Sequence, residues 1–260
     1  MSDTWQDPQR QNVLGVGVSV VDMGAAVRTI QEWIDRGIPH YVCVTSVHGV
    51  MASQASPELR HIHNQAGMVT PDGMPLAWLL RLAGHARSSR VCGPELMPAV
   101  FAASQARGDR HYLYGATEQT LAKLRAGLLA QAPAAQIVGS YAPPFRPLTP
   151  AEDVEITARI NDAAPDVVWV GLSTPKQERW MAEHRARLSA PVLIGVGAAF
   201  DVHAGLSRRA PRLMQRLGLE WLYRVAKEPR RLWWRYFWNN PRFLALLALQ
   251  KTGLYRREMI

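Results

Sequence analysis

Cysteine is scarce in this chain, and neither Cys43 nor Cys92 lies at a spacing that suits a metal site or a disulfide framework. Both sit in apolar stretches and read as reduced core thiols of a cytoplasmic protein. Long apolar runs are also missing. The longest in the C-terminal fifth, Phe243 to Leu249, has seven residues, far short of the roughly 20 that span a bilayer. Any membrane contact is therefore expected to be peripheral, and the polar start MSDTWQDPQRQN is read as carrying no secretory signal. There is no Walker loop, no Gly-x-Ser-x-Gly elbow, no HExxH and no Asp-x-Asp, and the eight His are scattered. These absences remove the common nucleotide-hydrolysing, serine-hydrolase and zinc-protease classes.

Acid is the other scarcity, and it is local. From Leu206 to Ile260 there are thirteen Lys or Arg against three Glu, whereas the other 205 residues hold seventeen basic and eighteen acidic groups. The whole excess of +9 thus lies in the last fifth of the chain. Trp221, Trp233, Trp234, Trp238, Tyr223, Tyr236 and Phe237 are interleaved with these cations. Aromatic and basic side chains together suit the headgroup layer of an anionic membrane, where each cation contributes roughly 1 kcal/mol. An amphipathic helix with its aromatics in a core and its arginines in solvent fits the composition equally well. A nucleic-acid binder more often spreads its basic residues over the folded domain.

With 48% hydrophobic residues the chain can bury a full core. Strand and helix signals alternate: a first strand near Val13 to Val18, a helix capped by Asp22 and stopped by Gly37, and a strand at Tyr41 to Val44. A Ser56-Pro57 helix start, a strand at Met68 to Thr70 and further helix–strand pairs follow, up to Val167 to Leu172 and Val192 to Val196. This order predicts an α/β fold: a Rossmann-like parallel sheet with helices on both faces, plus a helical basic C-terminal appendage. Alternation stops near Gly205, so residues 1–205 are read as the body and 206–260 as the appendage.

Ligands of such sheets bind beyond the C-terminal strand ends. Asp72, in Pro71-Asp72-Gly73-Met74-Pro75, follows a strand and precedes a helix; its carboxylate suits a general base, or a helix cap. Thr174-Pro175-Lys176-Gln177 has the form of a capping box, with Thr174 as the cap, and also of a phosphate-attracting helix start with an adjacent Lys. Gly195-Val196-Gly197-Ala198-Ala199-Phe200-Asp201 departs from a dinucleotide fingerprint, because Phe200 stands at the third glycine. Its glycines suit close approach of a nucleotide, with Asp201 as a polar contact or a turn residue. If the substrate is a sugar nucleotide, the lack of an Asp-x-Asp pair to hold a metal leaves its departing diphosphate to be neutralised by arginines and helix ends.

The ordered motifs resemble the WecG/TagA/CpsF family, glycosyltransferase family 26, over nearly the whole chain. They are Pro71 to Pro75, Arg90-Val91-x-Gly93, Tyr141 to Phe145, Pro175-Lys176-Gln177-Glu178, Gly195 to Asp201, Arg209-Ala210-Pro211, Glu220 to Arg224, Glu228-Pro229-x-Arg231 and Arg235-Tyr236. The resemblance implies an inverting, metal-independent transfer with no cofactor. A sugar (N-acetylmannosamine, its uronic acid or glucose) moves from a UDP donor to a polyprenyl-diphosphate-linked saccharide, in cell-surface or exopolysaccharide synthesis at the inner face of the cell membrane. It implies Asp72 as catalytic base, Arg90, Gln177 and Asp201 as active-site residues, and Arg224, Arg231 and Arg235 as arginines closing over the diphosphate. Ser46-Val47-His48 stands where many relatives carry Asn-Val-His, so Ser46 and His48 are placed at the donor. Thr174, Lys176 and Gly197 complete the expected substrate-binding set. Partners would be the two substrates and an anionic membrane surface, with self-association through the body open and no nucleic acid. Two other classes compete: an NAD(P)-dependent oxidoreductase using the Gly195 turn, and a non-catalytic membrane or nucleic-acid-binding module driven by the tail.

Overall fold

A computed structural model describes residues 7–259, except the side chains of Arg231, Trp234 and Arg235. Its elements in chain order are β1 (Arg10–Val13), β2 (Val16–Ser19), α1 (Met23–Arg36), β3 (His40–Thr45), α2 (Val47–Ala55), α3 (Pro57–Gln65), β4 (Met68–Pro71), α4 (Met74–Leu82), α5 (Gly93–Ser104) and β5 (Arg110–Gly115). There follow α6 (Glu118–Gln131), β6 (Gln136–Tyr141), α7 (Pro150–Asp162), β7 (Val167–Gly171), α8 (Lys176–His184), β8 (Val192–Gly195), α9 (Ala199–His203), α10 (Arg212–Arg216), α11 (Glu220–Lys227) and α12 (Pro229–Lys251).

Six strands form one parallel sheet in the order β4-β3-β8-β7-β5-β6. The central strands are apolar on both sides, as parallel strands under two helical layers must be: Val167, Val168, Trp169 and Val170 of β7 are all fully buried. One layer packs α1, α5, α6 and α9 through Trp33, Phe101, Leu121 and Phe200; the other packs α2, α3, α7 and α8 through Met51, Ile62, Ile156 and Met181. Right-handed crossovers account for this division. Connections running toward β4 and those running toward β6 must leave the sheet on opposite faces.

Local signals place the helix ends. Asp22 accepts from the Ala25 N–H at 2.7 Å, Gly37 ends α1 in the left-handed region, Ser56 accepts from the Leu59 N–H at 3.1 Å, and Thr149 and Glu152 form a reciprocal capping box. The single strand expected at Val13 to Val18 is instead a hairpin, β1–β2, turning at Leu14 (φ 54°) and Gly15 (φ 84°). Positive φ at both turn residues lets two residues reverse a right-twisted ribbon. Leu14 gives no sign of this in sequence, because Leu rarely adopts it. The hairpin lies beside the edge strand: the Val69 N–H donates to Ser19 Oγ at 3.0 Å.

The basic segment is helical and returns to the body. Phe243 of α12 is buried in the second layer's core, Gln250 Oε1 accepts from the Leu14 N–H at 3.1 Å, and Tyr255 donates to Gln54 Oε1 at 2.9 Å. The turn before α11 sits on α4. Gly218 has φ +70°, and a Cβ there would stand 2.7 Å from the Trp78 ring, so glycine is what permits this approach.

Candidate active site

Asp72 directly follows β4. Its N–H donates to the Thr45 carbonyl at 2.9 Å, which sets it beside Ser46 at the end of β3. Register pairs Cys43 of β3 with Gly195 of β8, and Gly195 with Val170 of β7. Asp72, Ser46, Gly197 and Thr174 therefore head four adjacent strands at one edge of the sheet. Neighbouring strands lie about 4.8 Å apart, so Asp72 and Thr174 are separated by about 14 Å along that edge.

The capping alternative for Asp72 does not hold. Gly73, at φ 108°, is the cap of α4, with no side-chain cap bond. The carboxyl is instead partly buried among charges. Burial pushes it up to about 6; Glu220 adds to the rise, while Arg224, Arg90 and Arg209 oppose it. These cations come from three places: the loop before α5, the turn before α10, and α11. Acceptors hold them in place. Arg90 donates to Glu220 Oε2 at 2.9 Å, to Glu95 Oε1 at 2.5 Å and to Gln215 Oε1 at 3.1 Å. Arg209 donates to the same Glu95 Oε1 at 3.0 Å and to Gln215 Oε1 at 2.7 Å, and Arg224 reaches Glu220 Oε1 at 3.4 Å. The two arginines hold Glu95 well ionised, below its ordinary range against the effect of burial. A carboxyl of raised pKa can accept a proton, and the partly desolvated guanidinium cluster beside it can stabilise a developing anion.

The second group lies at the β7 and β8 ends. The expected capping box is absent: α8 starts at Lys176, Pro175 is its cap, and no side chain caps a backbone N–H. Ser173 takes φ 65°, the Thr174-Pro175 peptide is cis, and the Thr174 hydroxyl points to a side chain, donating to Glu178 Oε1 at 2.8 Å. Gln177 Nε2 donates to the same oxygen at 3.1 Å. Both Gln177 and Glu178 are buried. Gly197, at φ +50°, packs on this amide: a Cβ there would lie 3.3 Å from Gln177 Oε1.

The remaining expected residues are placed as follows. His48 lies in the first turn of α2, at the same edge as Ser46, partly buried. Lys176 is exposed on the first turn of α8. Asp201 is exposed in α9, where its carbonyl accepts the N–H groups of Leu206 and Ser207. Arg231 and Arg235 lie in α12, but their side chains fall outside the described residues. Among the described residues no three His, Cys, Asp or Glu side chains come together as a metal-ligand group. Five site residues escaped the functional reading of the sequence: Glu95, Arg209, Gln215, Glu220 and Glu178. Arg209, Glu220 and Glu178 stood inside recognised motifs, and that was the available signal. Glu95 and Gln215 carried none, because their partners lie far away in sequence.

The model of the glycosyl transferase WecG/TagA/CpsF family matches residues 11–257. The chain belongs to that family, and its activity is that of a glycosyltransferase.

Proposed function

We propose that this glycosyltransferase moves a sugar from a UDP donor to a polyprenyl-diphosphate-linked saccharide, with inversion and without a metal, at the inner face of the cell membrane. The observation that carries the reading is Asp72: a carboxyl with pKa about 6 at a strand end, among Arg90, Arg209 and Arg224. Above pH 6 the carboxylate takes the proton of the acceptor hydroxyl as its oxygen attacks the anomeric carbon. The bond to UDP breaks on the opposite face, and UDP leaves with the electron pair. Arginines beside the base supply the positive charge that the departing diphosphate requires. Thr174, Gln177 and Gly197 at the β7 and β8 ends, with Ser46 and His48 between, take the rest of the donor. Asp201, Lys176, Arg231 and Arg235 belong to the same proposal as contacts at the rim.

The basic segment 206–260 serves this reaction in two ways. It brings Arg209, Glu220 and Arg224 to Asp72, and it leaves Trp221, Trp233, Phe237 and Trp238 exposed beside its cations. No described helix is long and apolar enough to cross a membrane, so contact with an anionic surface would be peripheral.

The test is acceptor-dependent UDP release in EDTA, across a panel of UDP sugars including N-acetylmannosamine, its uronic acid and glucose. Release with one donor supports the reading and identifies the sugar. Release that needs a divalent ion removes metal independence. Failure to bind any uridine nucleotide overturns the donor class.

A further inference from the structure

Gln177 and Glu178 are 2% and 1% exposed, and together they decide what the start of α8 offers a ligand. Glu178 Oε1 accepts from both Thr174 Oγ1 and Gln177 Nε2. A carboxylate only accepts, so both partners are committed. Thr174 has spent its single hydroxyl proton, and Gln177 has its amide nitrogen turned inward. Besides the second Gln177 Nε2 proton, unpaired acceptors remain: the lone pairs of Thr174 Oγ1, and Gln177 Oε1 and Glu178 Oε2, both buried without a partner. A buried orphan acceptor costs free energy unless something supplies a donor. Glycines let the chain pack closely against this amide. A Cβ at Gly195 would meet Gln177 Nε2 at 3.1 Å, and one at Gly197 would meet Oε1 at 3.3 Å. The rim, Ser173 and Ala198, is exposed.

We propose that Glu178 is a positioning residue that holds the Gln177 amide nitrogen inward and turns its carbonyl oxygen toward Gly197 and the rim, where it reads a hydroxyl or imide N–H of the donor nucleotide and not its phosphates. The proposal rests on the UDP-sugar reading and divides the sheet edge by chemistry. Hydrogen-bond donors of the ligand are read at β7 and β8, and the diphosphate by arginines at β4. The helix N-terminus that would attract a phosphate already carries the chain's own carboxylate in its first turn.

The test compares binding of inorganic pyrophosphate, UDP and the UDP-sugar to the wild type and to Glu178→Met, Glu178→Gln and Gln177→Met, with thermal unfolding as the control for folding. Glu178→Met removes the carboxylate, frees the Gln177 amide to turn over and weakens UDP-sugar binding about tenfold, the scale of one well-made hydrogen bond. Glu178→Gln keeps an acceptor oxygen in place and restores most of the affinity, which a merely structural role would not require. Gln177→Met loses as much as Glu178→Met. All three leave pyrophosphate binding unchanged. If UDP weakens along with the UDP-sugar, the group read is on the nucleoside; if only the UDP-sugar weakens, it is a sugar hydroxyl. Equal loss of pyrophosphate, or no loss of any ligand, overturns the inference while UDP binding by the wild type leaves the functional reading standing. A wild type that binds no uridine nucleotide fails at the functional reading instead.

Discussion

Arg90 and Glu220 meet at 2.9 Å across 130 positions of sequence, and this pair fastens α11 of the basic segment over the end of β4. Glu220 also accepts from Arg224, so one carboxylate orients a cation from the body and one from the segment beside Asp72.

Replacing Glu220 by Gln should therefore have two effects. Turnover falls, by about tenfold on the scale of a lost charge-assisted bond, because Arg90 and Arg224 lose their common anchor. The carboxyl of Asp72 also loses the negative neighbour that raises it, so the acid limb of kcat/KM moves to lower pH. Rate profiles of the two proteins between pH 4.5 and pH 8 read both effects on the order of the shift expected from one nearby charge.

As the proposed base, Asp72 sets that limb. Activity should fall as pH drops through about 6, where the carboxylate protonates. Stability runs the other way. The folded value lies above the ordinary 3.8, so the folded state binds the proton more tightly than the unfolded one, and stability is lost as pH rises through about 6. Asp72→Asn should accordingly raise Tm at neutral pH by a few degrees, for a gain of about 1–3 kcal/mol, with the difference closing toward pH 4. Paired melts across that range check it.

Arg209 shares Glu95 Oε1 and Gln215 Oε1 with Arg90. Its Nη2 alone donates to both acceptors, which leaves Nη1 for a ligand, and a lysine making the same two bonds has no second nitrogen to offer. Arg209→Lys is expected to weaken UDP binding by roughly tenfold, and Arg209→Ala by more. Calorimetric titration with UDP measures both.

Gly218 is held by conformation and by space. Alanine there would carry a left-handed φ, at about 1–2 kcal/mol, and its Cβ would press on the Trp78 ring. The expected result is a small loss of Tm with a much larger loss of turnover, since the turn that carries α11 toward Asp72 is displaced. Equal proportional losses would point to general destabilisation.

Exposed Trp233, Phe237 and Trp238 lie on one helix among basic residues. Changing the three to Ser should weaken sedimentation with anionic vesicles severalfold and leave UDP affinity as it was. Unchanged vesicle binding would remove these side chains from the membrane contact.

Much of the fold is legible in the chain because burial is so complete. Val167 to Val170 and Val192 to Val196 are apolar without alternation, which marks strands covered on both faces. Asp22, Ser56 and Thr149 announce helix starts through backbone chemistry that acts within three residues. The strand order is not legible: nothing local tells β8 to insert between β3 and β7. Thr174 misled for a related reason. Its cap-like spacing is genuine, but a buried carboxylate, Glu178, takes its hydroxyl instead. The arginine cluster shows the same limit. Arg90, Arg209 and Glu220 are marked by motifs and Glu95 by none, and only the return of the basic segment to the β4 end makes them neighbours.

The central claim is that Asp72 is the base. Single-turnover transfer from the UDP-sugar to the lipid-linked acceptor at pH 8, in the wild type and in Asp72→Asn, tests it most directly when donor affinity is measured on the same samples. The account predicts at least a hundredfold loss of rate, within the range usual for general-base catalysis, with donor affinity within a few-fold of the wild type. Transfer at the wild-type rate by the Asn variant would contradict it.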